Sequence, residues 1–243
     1  MKTTPERRRG ESAPVSKCLD YVLETNKHFT DRVDYRRARC VWANYTLQGV
    51  WNIVYESGPE ADIELYEENA VRLTDELMDV IVADILDRPE PDLEIDPELV
   101  EFIRDHDRET RGQHIRTNSD RYNEFIQILE QADWNVDLIT GIFSGGITPM
   151  LVASEILDSE WAVVRYSPAR DDTDAMVSPR MGDRIFQTER TLLLDDMIES
   201  ATTLDTVCTR LRSLGVIQID AAILYALHDD WSDIEFKYDY HSA

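Results

Sequence analysis

The chain has 243 residues, with 49 acids against 25 bases and a formal net charge of -24. That length suffices for one large or two small domains with a proper core. The acids run along the whole chain, which argues against general nucleic-acid binding, and no apolar run approaches the length of a membrane span.

In chain order, Met1 to Pro14 reads as a mobile polar tail, and Arg7-Arg8-Arg9 as solvated charge within it. Residues 15–110 read as an all-α extension of three or four helices. Val33 to Tyr55 carries Ala38, Val41, Trp42, Tyr45 and Trp51 at helical spacing. Gly58-Pro59 breaks that run. Glu67 to Leu86 places Leu73, Leu77, Ile81 and Ile85 on one face. Pro89-Glu90-Pro91-Asp92 resembles a linker. Asp96-Pro97 then opens a short helix to about His106, with Asp as N-cap and Pro at the first helical position.

Residues 111–243 have a different rhythm. Ser119 can cap a helix over Asp120 to Ala132. Asp137 to Phe143 reads as a buried strand, Ser144-Gly145-Gly146 as a tight turn, and Met150 to Leu157 as a helix with Pro149 in its first turn. Trp161 to Tyr166 is a second strand. Ser167 to Gln187 has little apolar periodicity and reads as a long irregular loop, a kind of segment that is often functional. Leu192-Leu193-Leu194 forms a third buried strand that ends in Asp195-Asp196. A hydroxyl-rich loop, Ser200-Ala201-Thr202-Thr203, leads into a helix over Leu204 to Leu211. Gly215 is a C-cap signal. Asp220 to Leu227 is another buried strand, and Ile234, Phe236, Tyr238 and Tyr240 alternate as in a final half-exposed one.

Strand, acidic pair, hydroxyl loop and helix N-terminus together suit a phosphorylated sugar. Loop amides and a helix dipole attract phosphate. Ser200, Thr202 and Thr203 can donate to it, and the two Asp side chains can accept from ribose hydroxyls. A strand of any doubly wound sheet can also end in two acids, as in response-regulator receivers, although there the pair comes early in the chain.

The segment Thr191 to Leu204 resembles the PRPP-binding motif of type I phosphoribosyltransferases. Ser144-Gly145-Gly146 followed by Pro149 resembles that family's pyrophosphate loop, most closely that of the purine (xanthine-guanine-type) enzymes. Ser144 stands where the family often has a basic residue, and Ala201 where it usually has Gly. The resemblance implies an open, mainly parallel α/β sheet flanked by helices over residues 111–243. It implies ribose binding by Asp195 and Asp196, and 5′-phosphate binding by Ser200, Ala201, Thr202 and Thr203. Pyrophosphate would lie against Ser144, Gly145, Gly146 and Arg165, and Glu199 would be the catalytic residue. It further implies PRPP or a nucleoside monophosphate with Mg²⁺, a nitrogenous base of purine type, and a homo-oligomer. No base-reading Lys is visible beside His228, so a second reading stays open: a non-enzymatic PRPP or nucleotide sensor acting through the helical extension.

Only four of the bases are Lys, and a dispersed acidic, Lys-poor composition resembles proteins of extreme halophiles. A salt-rich cytoplasm is the expected setting. Cys18, Cys40 and Cys208 have neither disulfide nor zinc spacing.

Overall fold

The computed structural model describes residues 12–24, 32–57, 62–107, 109–111, 119–131, 134–143, 145–167, 172–198 and 201–226. The chain forms two compact units that divide between Thr117 and Asn118.

The first unit is largely helical. Strand β1 (Ser12–Pro14) precedes helices α1 (Val15–Leu23), α2 (Arg32–Glu56), α3 (Ile63–Ile85) and α4 (Pro97–Asp105), and strand β2 (Glu109–Arg111) follows. Part of the expected polar tail is therefore structured. Ser12 to Pro14 pair antiparallel with Glu109 to Arg111, and a partner so distant in sequence leaves no local signal. Asp107 completes the tie by accepting from the Ser16 N–H (3.0 Å) and hydroxyl (2.6 Å), which caps α1 from outside its own sequence. From Ala38 to Val54 every residue of α2 except Val41 is buried. A helix buried all round is central, and its amphipathic signal vanishes. Its polar residues turn inward on their own backbone: Asn44 donates to Cys40 O and Thr46 to Trp42 O. Trp51 Nε1 donates to Thr74 Oγ1 on α3 at 3.1 Å. Asp96 caps α4 by accepting from the Glu98 N–H, with Pro97 at the first helical position.

The second unit holds the site. Its described elements are α5 (Ser119–Gln131), β3 (Leu138–Phe143), α6 (Ile147–Leu157), β4 (Glu160–Arg165), α7 (Pro179–Phe186), β5 (Arg190–Ile198), α8 (Ala201–Ser213) and β6 (Gln218–Ala226). The four strands form one parallel sheet in the order β4-β3-β5-β6. Helices intervene between successive strands, which is the α/β architecture expected from the apolar runs. Those runs are continuous because both faces of such a sheet are covered. All six residues of β3 are buried, and α6 packs on β3, β4 and β5.

Two hydroxyls set the β3–β5 register. Thr191 Oγ1 donates to Leu138 O (2.9 Å) and lies 2.7 Å from Thr140 Oγ1, both threonines fully buried. With the Thr191 proton committed to the carbonyl, Thr140 is the donor between the two hydroxyls. Gly215, at φ +106°, ends α8 in the left-handed region that glycine tolerates.

The stretch 167–187, expected to be irregular, contains α7. This helix is short, and only Met181 and Ile185, four apart, are buried. Pro179 at its start pre-sets the first turn. Arg184 then donates to Trp161 O (2.7 Å) and lies over the Trp161 ring at 4.9 Å. The alternating stretch Ile234 to Tyr240 lies outside the described residues, as do His228, Trp231 and Phe236.

Candidate functional site

Strand order locates the site. From β3 the chain crosses through α6 to β4 on one side. From β5 it crosses through α8 to β6 on the other side. Right-handed crossovers in opposite directions put α6 and α8 on opposite faces of the sheet. The loops leaving the adjacent ends of β3 and β5 therefore diverge and leave a crevice at the topological switch point, where open α/β sheets bind ligands. Both the Gly-Gly turn and the acidic pair lie on that edge.

The register brings them together. Gly141 of β3 is level with Leu194 of β5. Asp195 and Asp196 follow Leu194, and Gly145 and Gly146 follow β3 after one turn. A Cβ built on Gly145 would overlap Asp196 Oδ1 and stand 3.0 Å from Asp195 Oδ1. A Cβ on Gly146 would overlap Leu194 O and lie 2.5 Å from Ile142 N. Both glycines are thus required by close approach, Gly145 to carboxylates and Gly146 to backbone. Gly146 N–H donates to Ile142 O at 2.8 Å, so its donor is committed inside the turn.

Successive strand residues point to opposite faces. Asp195 and Asp196 nevertheless share the Gly145 side, because Asp195 Oδ1 folds back to accept from the Asp196 N–H at 2.8 Å. Asp195 is buried and Asp196 half-buried. Helix α6 opens directly after Gly146, next to this pair, and α8 opens at Ala201, after β5 has run on past the pair to Ile198. Their first-turn amides make the crevice attractive to anions.

Thr202 is exposed and Thr203 half-exposed in the first turn of α8. Ala201 is the first residue of that helix, and among the described residues positive φ outside glycine occurs only at Asp87 and Asp158. The backbone strain that a Gly-type loop geometry would impose on Ala201 is therefore absent. Ser144, Glu199 and Ser200 lie outside the described residues.

Arg165 ends β4, level with Phe143, the last residue of β3. Its backbone exchanges two hydrogen bonds with Met176, at 2.9 and 2.8 Å. Its Nε lies 3.5 Å from Asp172 Oδ2. Sequence reasoning did not single out Asp172 as this partner. The pairing depends on a turn that folds the chain back on β4, and no periodicity reports it.

The donor set bears on a metal. Among the described residues no group of three or more His, Cys, Asp or Glu side chains could hold an ion. Mg²⁺ keeps several waters and commonly takes only one or two protein carboxylates beside substrate oxygens. Asp195 and Asp196, side by side at Gly145, fit that minimal role. Cys208 on α8 is not a nucleophile at neutral pH, because burial pushes its thiol up to about 11.

A family model described as "Phosphoribosyl transferase domain" matches residues 119–241. A solved structure, the purine phosphoribosyltransferase from Pyrococcus horikoshii Ot3, is similar at 20% identity and a TM-score of 0.35, covering 47% of this chain and 75% of that one. No curated protein matches the chain. Among the described residues no helix is long and apolar enough to cross a membrane. The family match takes in more than half of the sequence, with the Gly-Gly turn, the acidic pair and the α8 N-terminus all inside it, and the chain belongs to the phosphoribosyl transferase domain family.

Proposed function

We propose that the second unit binds PRPP and transfers its phosphoribosyl group to a nitrogenous base of purine type, releasing pyrophosphate. The observation that carries this reading is the meeting of Gly145 with Asp195 and Asp196 at the start of α6, with the N-terminus of α8 following from the same strand as the two acids. Few ligands need carboxylates and anion sites within one crevice. A ribose with a phosphate on one end and a pyrophosphate on the other does.

In this reading Asp195 and Asp196 accept from the ribose 2′- and 3′-hydroxyls. The α8 first turn, with Thr202 and Thr203, takes the 5′-phosphate, as Ser200 and Ala201 would. Gly145 and the N-terminus of α6 face the pyrophosphate, while Gly146 serves by letting β5 approach. Ser144 and Arg165 border the same leaving group. A ring nitrogen of the base attacks ribose C1 as the bond from C1 to the pyrophosphate oxygen breaks. Pyrophosphate leaves with that electron pair, and Glu199 receives the proton lost by the base. Bound Mg²⁺ would neutralise charge on the leaving group. Asp195 and Asp196 are the residues suited to hold it through substrate oxygens and water. A cytoplasmic, salt-rich setting and a homo-oligomer complete the proposal.

The test is calorimetric titration of PRPP, with GMP and AMP alongside, in molar KCl with Mg²⁺. Replacing both Asp195 and Asp196 with Asn should abolish binding while the chain stays folded. Each lost charge-assisted hydrogen bond costs about 1.5–3 kcal/mol. Parental affinity in the double variant sinks the site assignment. Binding without turnover on any purine favours the sensor reading.

A further inference from the structure

The entry ends of β5 and β6 lie at the opposite end of the sheet from the crevice. The Ile217 N–H donates to Glu189 O at 2.9 Å, which ties the residue before β6 to the residue before β5. Phe186 stands three residues ahead of Glu189. On the other side the Leu214 N–H donates to Arg210 O at 3.2 Å, closing α8 three residues ahead of Ile217. Phe186 and Ile217 are 73% and 74% exposed, and among the described residues the one other exposed large apolar side chain is Leu65, in the first unit. Leu214 is half-buried.

The charges at this end are a second observation. Arg210 Nε is buried and has no hydrogen-bond partner, and the guanidinium enters no ion pair among the described residues. That is unexpected in a chain with 49 acids against 25 bases. A cation near the C-terminus of α8 suits the helix dipole, but a guanidinium left in water would serve the dipole as well, so the dry Nε stays unexplained. Glu189 is exposed, and its carboxylate is likewise unpaired among the described residues.

We propose that this end of the sheet is the contact of a two-fold homodimer, in which Arg210 of each copy takes the Glu189 carboxylate of the other around an apolar centre of Ile217 and Phe186. A two-fold contact lays one patch upon itself, so the patch must hold both members of every pair. This one holds both signs and its own apolar centre. Arginine and aromatic side chains are the residues that carry interface centres. An acidic partner of another kind would use Arg210 but would be repelled by Glu189 beside it. Salt screens the like net charges of the two copies, while apolar contact persists. The crevice, at the exit ends of β3 and β5, stays open in such a dimer. This inference rests on the homo-oligomer proposed above and adds where the copies meet.

Sedimentation equilibrium of the full chain in molar KCl should show a dimer. Ile217→Asp and Phe186→Asp, both at exposed positions, should each weaken it about tenfold or more while the melting temperature holds. Arg210→Glu and Glu189→Arg should each weaken it about tenfold, and the two together should recover most of the parental affinity, because the pair re-forms with its signs exchanged. A double reversal no tighter than either single change overturns the pairing. A dimer indifferent to Ile217→Asp and Phe186→Asp refutes this surface and leaves the homo-oligomer standing. A parent chain that is monomeric at every concentration refutes both.

Discussion

Gly145 sits so close to Asp196 that a single added methyl group would occupy the position of the Asp196 carboxylate oxygen. Its neighbour Gly146 is as tightly placed, but against the Leu194 carbonyl and the Ile142 amide. The two substitutions to Ala should therefore fail in different ways. In Gly145→Ala the half-buried Asp196 side chain can swing aside. Stability should change little, while PRPP affinity falls about tenfold, or about 1.4 kcal/mol. In Gly146→Ala the obstacle is backbone, and the cost should appear in folding, about 1–3 kcal/mol or more. Denaturant midpoints and calorimetry on both variants check this. Equal stability losses would contradict it.

Ala201 supplies a second prediction. Because it opens α8 without a left-handed backbone, Gly there relieves nothing and adds unfolded-chain entropy. Ala201→Gly should lower stability by a few tenths to about 1 kcal/mol and should not tighten PRPP binding. A tenfold gain in affinity would show that the loop adopts a Gly-type geometry on binding.

Charge makes a third. With a net charge of -24, the folded chain repels itself in dilute buffer. Raising KCl to molar concentration shortens the screening length to about 3 Å. The melting temperature should rise, and a flat or falling response would count against the salt-adapted reading.

A fourth concerns pH. Burial raises the Asp84 carboxyl above its ordinary value of 3.8, against the pull of Arg36, Cys40 and Arg37, and Asp87 adds to the rise. The folded chain thus binds this proton more tightly than the unfolded chain. Stability is fullest below the ordinary value and is lost as pH climbs from 3.8 through the raised one. Asp84→Asn should flatten that decline, measured as the denaturant midpoint from roughly pH 4 to 7. An unaltered slope would assign the titration elsewhere, with Glu76, also raised by burial, the next candidate.

The four strands were legible because Leu138 to Phe143, Trp161 to Val164, Leu192 to Leu194 and Ala221 to Leu224 are buried on both faces and therefore apolar, with Thr140 the one polar residue among them. Helix α3 and the Asp96-Pro97 start of α4 were legible from spacing and caps, whereas α2, buried on nearly every side, was legible only as a long apolar and aromatic run without an amphipathic face. The β1–β2 ladder was not, since its two three-residue strands are mostly polar and each pairs with a segment almost a hundred residues away. Nor was α7, whose buried face is two residues wide. At the site, the residue types of the Gly-Gly turn and acidic pair were readable. Their contact was not, since it depends on strand register. Asp172 was hidden for the same reason, as one of several acids in a polar stretch until the chain folds back on Arg165.

The Thr140–Thr191 pair lies several residues below the crevice and touches no candidate ligand group. It nevertheless acts as a key cut for a single alignment. Sliding β5 along β3 by two residues would keep every side chain on its own face, so apolar packing alone would tolerate the error. The slide would strand two hydroxyls in a dry core, a cost of about 1–3 kcal/mol for each unpaired group. Two buried threonines thus guard the ångström-scale meeting of glycine and aspartate at the far end of the strands. A change such as Thr191→Val would leave the crevice chemically intact and only loosely timed.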